Sequence, residues 1–177
     1  MSKTRIIKNK DELNKLRAEI MGSLDQSVVM IQELMSSMDS LSFFKKIKFE
    51  KTVTDSFTGE PENFAEMIDQ CQTYLVSIMA VEYLIQKHQG VSFKINFGNV
   101  SGYDIESIDG DIAAECFAAT SYRSNGKLTA DLKRLKENSI ATYKYEFFYD
   151  KEFTESHKQY YKKNYSDIEI IKFEELE

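Results

Sequence analysis

The hydrophobic period of the sequence changes at Gly90, and this change limits the folds open to the chain. Before Gly90, apolar residues recur at three- and four-residue steps, which is typical of amphipathic helices. After Gly90, apolar and polar residues alternate in VSFKINF, YDIESI, DIAAECFAA and TYKYEFFY, which is typical of strands. We therefore predict an α/β protein with a mixed sheet flanked by helices and an N-terminal helical extension.

The helical pattern falls into two parts, separated by the polar stretch TVTDSFTGEPENF with its single proline. Residues 1–52 form a predicted N-terminal helical region, either one long helix or two helices broken near residues 22–25. This region is either a brace for the rest of the chain or a dimer seam. Residues 53–177 form the predicted α/β domain, in which Pro61 fits the first turn of a helix ending near Gln89.

The residues after Gly90 predict three strands joined by hairpins, then a helix, a strand, a helix and a final strand. Leu128, Leu132 and Leu135 mark the first of these helices, with Ser124 or Asn125 as its N-cap. Thr154 is the predicted cap of the second, and DIEIIKF is the last predicted strand.

Charge and cysteine content limit the partners and the cellular compartment expected for the protein. The net charge of -6 opposes non-specific attraction to nucleic acid or membrane, although Lys45–Lys51 and Lys158–Lys163 are basic clusters. Cys71 and Cys116 lack zinc-ligand spacing and are predicted to be buried, reduced thiols. No apolar run has the length of a membrane span, so we expect a cytoplasmic protein.

Two acids are predicted to meet in the hairpin that follows Gly102. Asp104 and Glu115 lie on neighbouring strands, about opposite each other, with cross-strand Cβ atoms roughly 5 Å apart. Two carboxylates at that distance repel unless a cation lies between them, and oxygen ligands suit Mg²⁺ or Mn²⁺. From these two residues alone, an ordinary pair of exposed acids is the competing interpretation.

The order of elements around these acids resembles the core of the PD-(D/E)xK phosphodiesterase superfamily, which includes many restriction endonucleases. The resemblance covers about residues 61–173 and rests on GYDIES followed, after a short turn, by AAECF and a helix. It implies a restriction-endonuclease-like fold in which Asp104 and Glu115 are metal ligands. Glu82, or less closely Glu66, would match the acid that some members carry on the preceding helix.

The chain departs from the family motif at its third position. Phe117 stands where the family has a lysine that orients and deprotonates the attacking water, and phenylalanine can do neither. Lys127 is the leading replacement, Lys94 is second, and Glu106 is a candidate third carboxylate or base. Metal-assisted positioning supplies much of the catalysis in phosphodiester hydrolysis, so such a site can in principle act without the motif lysine.

The resemblance therefore implies a Mg²⁺-dependent DNA endonuclease, with restriction of foreign DNA as one role and the N-terminal helices as a dimerising or DNA-contacting part. Two other classes stay open. One is a catalytically inactive binding or assembly protein that keeps the fold, which Phe117 and the acidic net charge favour. The other is an interaction module in which residues 10–48 form a homodimer.

Overall fold

The computed structural model describes residues 3–55, 57, 59–98 and 100–176 and contains long N-terminal helices and a mixed sheet. Its elements in chain order are β1 (Thr4–Ile7), α1 (Lys10–Ser37), α2 (Ser40–Phe49), β2 (Val53–Thr54), β3 (Pro61–Glu62), α3 (Phe64–Lys87), β4 (Phe93–Asn96), β5 (Ile105–Ser107), β6 (Ile112–Ala118), α4 (Lys127–Glu137), β7 (Tyr143–Tyr149), α5 (Glu155–Lys162) and β8 (Ile168–Phe173). The predicted α/β class is confirmed.

Six strands form one sheet in the order β1-β4-β5-β6-β7-β8. The first three neighbouring pairs are antiparallel, and the pairs β6–β7 and β7–β8 are parallel. The parallel pairs arise because α4 and α5 return the chain to the same end of the sheet. Helices α1 and α3 cover one face, where Ile95, Ala114 and Phe147 are buried. Helix α4 covers the other face, where Phe117 and Phe148 are buried.

The N-terminal region matches neither of its two predicted alternatives. Helix α1 runs without interruption through Gly22 to Ser37, so a break near residues 22–25 is wrong, and the start of α2 at Ser40 excludes one long helix. Asp39 decides the break, because its carboxylate accepts hydrogen bonds from the backbone N–H groups of Leu41 and Ser42 and caps α2.

The start of α3 also differs from the prediction. Pro61 lies in strand β3, where it pairs with Thr54, and not in the first turn of a helix. The helix begins at Phe64 because the side chain of Asn63 accepts a hydrogen bond from the N–H of Glu66. A capping asparagine thus outweighs the helix-start signal of the proline.

Strand β1 was not predicted, because four residues are too few to show an alternating pattern. It pairs antiparallel with β4, so the predicted helical region of residues 1–52 also contributes an edge strand to the sheet. Ile7, Leu13, Leu16 and Ile20 belong to the same core as α3. The first half of α1 is therefore packed against the sheet domain.

Of the two N-caps predicted for the later helices, the one for α4 is wrong and the one for α5 is confirmed. Ser124–Gly126 form a 3-10 turn and Gly126, at φ +65°, precedes α4, so neither Ser124 nor Asn125 is the N-cap. Thr154 is the N-cap of α5, as predicted, and its N–H donates to Nδ1 of His157 at 3.1 Å. In the described part of the chain, no helix is long and apolar enough to cross a membrane.

Candidate functional site

Helix α4 presents two rows of side chains to the sheet. Leu128, Leu132 and Leu135 form an apolar row that is fully buried. Lys127, Asp131 and Arg134 each precede one of these leucines and form a second row, since neighbouring helical residues are turned by about 100°. Helix packing by the leucines therefore holds two cations and an acid along the edge of the contact with the sheet.

Two glutamates of the sheet face this helix. Glu115 of β6 and Glu146 of β7 are directly paired in the parallel register, and neither has exposed surface. They lie on the same face as Phe117 and Phe148, which pack under α4, because alternate residues of a strand share a face. The fold thus buries two adjacent carboxyl groups between the sheet and α4.

Asp104 completes the acidic group at the start of β5. The neighbouring pair Ile105–Ala114 brings Asp104 beside Glu115, as the sequence predicted. The backbone N–H of Cys116 donates to Oδ2 of Asp104 at 2.8 Å, which fixes the aspartate side chain between the two strands. Asp104, Glu115, Asp131 and Glu146 are called the acid cluster below.

Two basic side chains pair with the cluster from its outer side. Nη1 of Arg134 lies 2.8 Å from Oε1 of Glu115, and Nζ of Lys127 lies 2.9 Å from Oδ1 of Asp131. Arg134 also covers the ring of Tyr103, with its guanidinium carbon 4.9 Å from the ring centroid. About half of each basic side chain is exposed, so both cations line the boundary between the buried acids and solvent.

Glu115, Asp131 and Glu146 hold protons more tightly than ordinary carboxyl groups. Burial, together with the charge of Asp104, raises the pKa of Glu115 to about 9, although Arg134 opposes the shift. Burial and the charges of Asp131 and Glu115 raise the pKa of Glu146 well above its ordinary value. Burial raises the pKa of Asp131 as well, against the lowering effect of Lys127. The positive charges of Lys127 and Arg134 thus do not fully compensate the negative charge that the four acids would carry if ionised.

Several carboxylate oxygens of the cluster lack hydrogen-bond partners among the described residues. They are both oxygens of Glu115, both oxygens of Glu146 and Oδ2 of Asp131. The contact between Arg134 and Glu115 is an ion pair without hydrogen-bond geometry. A buried carboxylate without partners is costly, so the cluster needs either protons or an added cation at neutral pH.

Lys127 keeps its positive charge beside these acids. Partial burial of the ammonium lowers its pKa, but Asp131, Asp104 and Glu115 together raise the pKa above the ordinary value. Its side chain remains 44% exposed. A permanently charged ammonium therefore faces solvent next to the acid cluster, where it can meet an anionic ligand.

The remaining sequence candidates lie outside the cluster. Glu82 forms ion pairs with Lys10 at 2.7 Å and Arg17 at 2.8 Å, so it joins α3 to α1 on the opposite side of the sheet. Glu106 pairs with Lys94 between β5 and β4. Glu66 lies in the exposed first turn of α3. Phe117 stacks on Phe148 with ring centroids 5.1 Å apart and is a core residue.

Two acids of the cluster and one of the cations beside it were not candidates in the sequence. Asp131 follows Lys127 by four residues, a spacing at which helical side chains meet, and Arg134 follows it by seven. Glu146 is the acid on the otherwise aromatic stretch YEFFY. The spacing from Lys127 was available as a signal for Asp131. Glu146 required knowledge of which strand lies beside β6.

The donor chemistry of the cluster fits a hard divalent cation, but its donors do not form a set of three around one point. Carboxylate oxygens with free lone pairs are the ligands that Mg²⁺ and Mn²⁺ prefer. Within residues 3–55, 57, 59–98 and 100–176, no three His, Cys, Asp or Glu side chains converge closely enough to hold one ion together. Asp104 and Glu115 are two adjacent acids, and the guanidinium of Arg134 already lies against Glu115.

No protein-family model matches this chain, and no curated protein or solved structure is significantly similar to it. The acid cluster and the two cations at its boundary are therefore the basis for any statement about function.

Proposed function

We propose that the protein is a Mg²⁺- or Mn²⁺-dependent endonuclease of the PD-(D/E)xK type that hydrolyses phosphodiester bonds in DNA. The observation that carries the proposal is the incompletely compensated acid cluster with its exposed lysine. Two adjacent buried glutamates lack hydrogen-bond partners among the described residues, so each needs either a proton or an added cation. A site that binds a cation and then an anionic substrate explains both the buried acids and the exposed Lys127.

The restriction-endonuclease-like arrangement is part of the same proposal. The elements α3, β4, β5, β6, α4 and β7 follow one another in the order that the sequence resemblance implies, in a mixed sheet. Asp104, which directly precedes β5, lies beside Glu115 of β6, and these are the two acids of the motif. These facts support the resemblance as an analogy of fold and residue position.

Two acids of the cluster and the two cations beside it have defined roles in this proposal. Asp104 and Glu115 would hold the metal ion, which would neutralise phosphate charge and lower the pKa of an attacking water. Lys127 would bind the phosphate and stabilise the charge that develops on it, in place of the lysine missing at Phe117. Arg134 would exchange Glu115 for a substrate phosphate, a bidentate partner that suits a guanidinium.

Cleavage of a supercoiled plasmid in Mg²⁺ and in Mn²⁺ tests the proposal. We expect the wild-type protein to nick or linearise the plasmid, Asp104→Asn to lose that activity, and Glu137→Gln to keep it. Glu137 is an exposed acid at the end of α4 and is a matched control. Equal cleavage by the wild type and Asp104→Asn, or no cleavage by either, contradicts the proposal.

A second candidate is a catalytically inactive protein of this fold that binds a partner. Two observations favour it: Phe117 is packed in the core, and Arg134 already supplies a positive charge to Glu115. Calorimetric titration with Mn²⁺ separates the candidates. The nuclease requires binding that Glu115→Gln abolishes, whereas the inactive protein needs no metal.

A further inference from the structure

The helical arm, residues 21–49, exposes an apolar surface that none of the described residues covers. Residues 28–50 are all described, and none of them is fully buried. Helices in globular proteins gain most of their stability by burying an apolar face. The last third of the 28-residue helix α1 buries no side chain, and neither does α2. These two segments therefore lack the packing partner that would stabilise them.

The exposed side of α1 carries a seven-residue apolar repeat. Met21, Val28 and Met35 are exposed by 43%, 54% and 62%. Seven residues are about two helical turns, so the three side chains follow one line along the helix. Leu24, Ile31 and Met38 repeat at the same interval and are half-buried. This spacing is typical of a helix that packs lengthwise against another helix.

Helix α2 extends the apolar surface. Leu41, Phe44 and Phe49 are exposed, and Leu41, Phe44 and Ile47 line a groove of about 610 Å³ that continues onto Phe64 and Ile68 of α3. Seven of the twelve exposed large hydrophobic side chains in the described part of the chain lie on α1 and α2. An apolar concentration of this kind marks an interaction surface.

The helical arm has an acidic segment and a basic segment of opposite charge. Residues 18–44 contain no Lys or Arg and carry Glu19, Asp25, Glu33 and Asp39. The next seven residues, 45–51, contain four lysines and one glutamate. Among the described residues, no ion pair involves Lys45, Lys48 or Lys51. An acidic segment followed by a basic segment fits a second copy of itself about a two-fold axis, which brings each segment against its opposite.

We propose that this surface is a homodimer interface, in which the helical arms of two copies pack together and bury Met21, Val28, Met35 and Phe44. The acidic segment of each arm lies along the basic helix α2 of its partner. A second copy fits better than an anionic lipid surface, because Asp25 and Glu33 would be repelled by lipid headgroups and the apolar site on α2 is a groove.

Sedimentation velocity of the full chain, up to about 100 µM, tests the interface. We expect a dimer for the wild type and a monomer for Phe44→Glu. Tyr160→Glu is the matched control, since Tyr160 on α5 is 64% exposed and Phe44 is 63% exposed. Circular dichroism should show that both variants remain folded. A monomeric wild type, or equal dimerisation by both variants, overturns the proposal.

Exchange of charges tests the two-fold arrangement directly. Asp25→Lys with Glu33→Lys in one chain, and Lys45→Glu with Lys48→Glu in another, should each raise the dimer Kd at least about tenfold. A mixture of the two chains should recover a heterodimer, because both of its contacts again join opposite charges. Failure of the mixture to recover it overturns the arrangement. Binding of a monomeric wild type to phosphatidylserine vesicles would assign the surface to lipid instead.

Discussion

Glu115 and Glu146 are paired side by side on parallel strands β6 and β7, with no exposed surface and no hydrogen-bond partner among the described residues. Like charges directly opposite each other in a sheet destabilise it. The pair is tolerated because both glutamates hold protons to unusually high pH. The fold therefore contains a site that is under electrostatic strain when both acids ionise.

Stability should fall as the pH rises from 7 to 9. The pKa of Glu115 is about 9 in the folded protein and near 4.5 when unfolded, so between these values the folded state binds more protons than the unfolded state. The free energy of unfolding then decreases with pH, by at most about 1.4 kcal/mol per unit for one group. Urea denaturation at pH 7, 8 and 9 measures this slope. Starting at pH 7 avoids His88, whose lowered pKa has the opposite effect near pH 6.5.

Added Mn²⁺ should reduce this loss of stability if the acid cluster binds it. A cation that binds the folded state stabilises it in proportion to the logarithm of its concentration and replaces the protons of the carboxyl groups. We expect a higher unfolding midpoint at pH 8 with millimolar Mn²⁺, and no such gain in Glu115→Gln. An equal gain in both proteins would show that the metal binds elsewhere.

Glu146→Gln should stabilise the protein at pH 8 without metal. The amide has nearly the shape of the carboxyl group and carries no charge, so the folded state no longer needs a proton there. We expect a gain of about 1–2 kcal/mol, since neutral replacements of buried charges are often stabilising. Differential scanning calorimetry measures it, and the exposed Glu137→Gln should stay within about 0.5 kcal/mol of wild type. Destabilisation by Glu146→Gln would show instead that the folded state compensates the Glu146 carboxylate.

Arg134→Ala should destabilise the fold at neutral pH. It removes the contacts of the guanidinium with the Glu115 carboxyl group and with the Tyr103 ring. Because about half of the arginine side chain is exposed, we expect about 1–2 kcal/mol, less than for a fully buried pair. Chemical denaturation measures the loss. Arg134→Lys should recover part of it, as it keeps the charge but not the planar contact.

Lys127→Ala should reduce DNA cleavage about 10²-fold or more while leaving the fold intact, because a single donor to a developing charge has about this effect. Lys133→Ala, on the exposed side of the same helix, should cleave as the wild type does. Initial rates at saturating Mg²⁺ compare the two. Equal rates for both variants would remove Lys127 from the proposed site.

Glu82→Gln separates structural from functional acids. Glu82 pairs with Lys10 and Arg17 across the contact between α3 and α1, and these cations lower its pKa, with the hydrogen bond from Lys10 as the largest cause. We expect a modest loss of stability, about 1 kcal/mol, and unchanged DNA cleavage. Cleavage lost at unchanged stability would instead support Glu82 as part of the site.

Local signals in the sequence determined most of the elements. Alternation predicted β4 to β7, and Thr154 marked the start of α5. Where two local signals competed, the stronger cap decided: Asp39 ended the first helical segment, and Asn63 outweighed Pro61. Both outcomes depend on hydrogen bonds from a few backbone N–H groups to a capping side chain. The residue pattern alone did not show which of two competing signals was the stronger.

The sequence by itself also determined the acid pair. Asp104 and Glu115 lie on consecutive strands joined by a short turn, so their meeting follows from local geometry. Only the tertiary structure decided the rest of the cluster. Glu146 reaches Glu115 through a parallel pairing that a whole helix separates in sequence, and Glu82 turns away because α1 supplies two cations to it. Contacts between distant segments depend on how helices and strands pack, and no spacing along the chain encodes that packing.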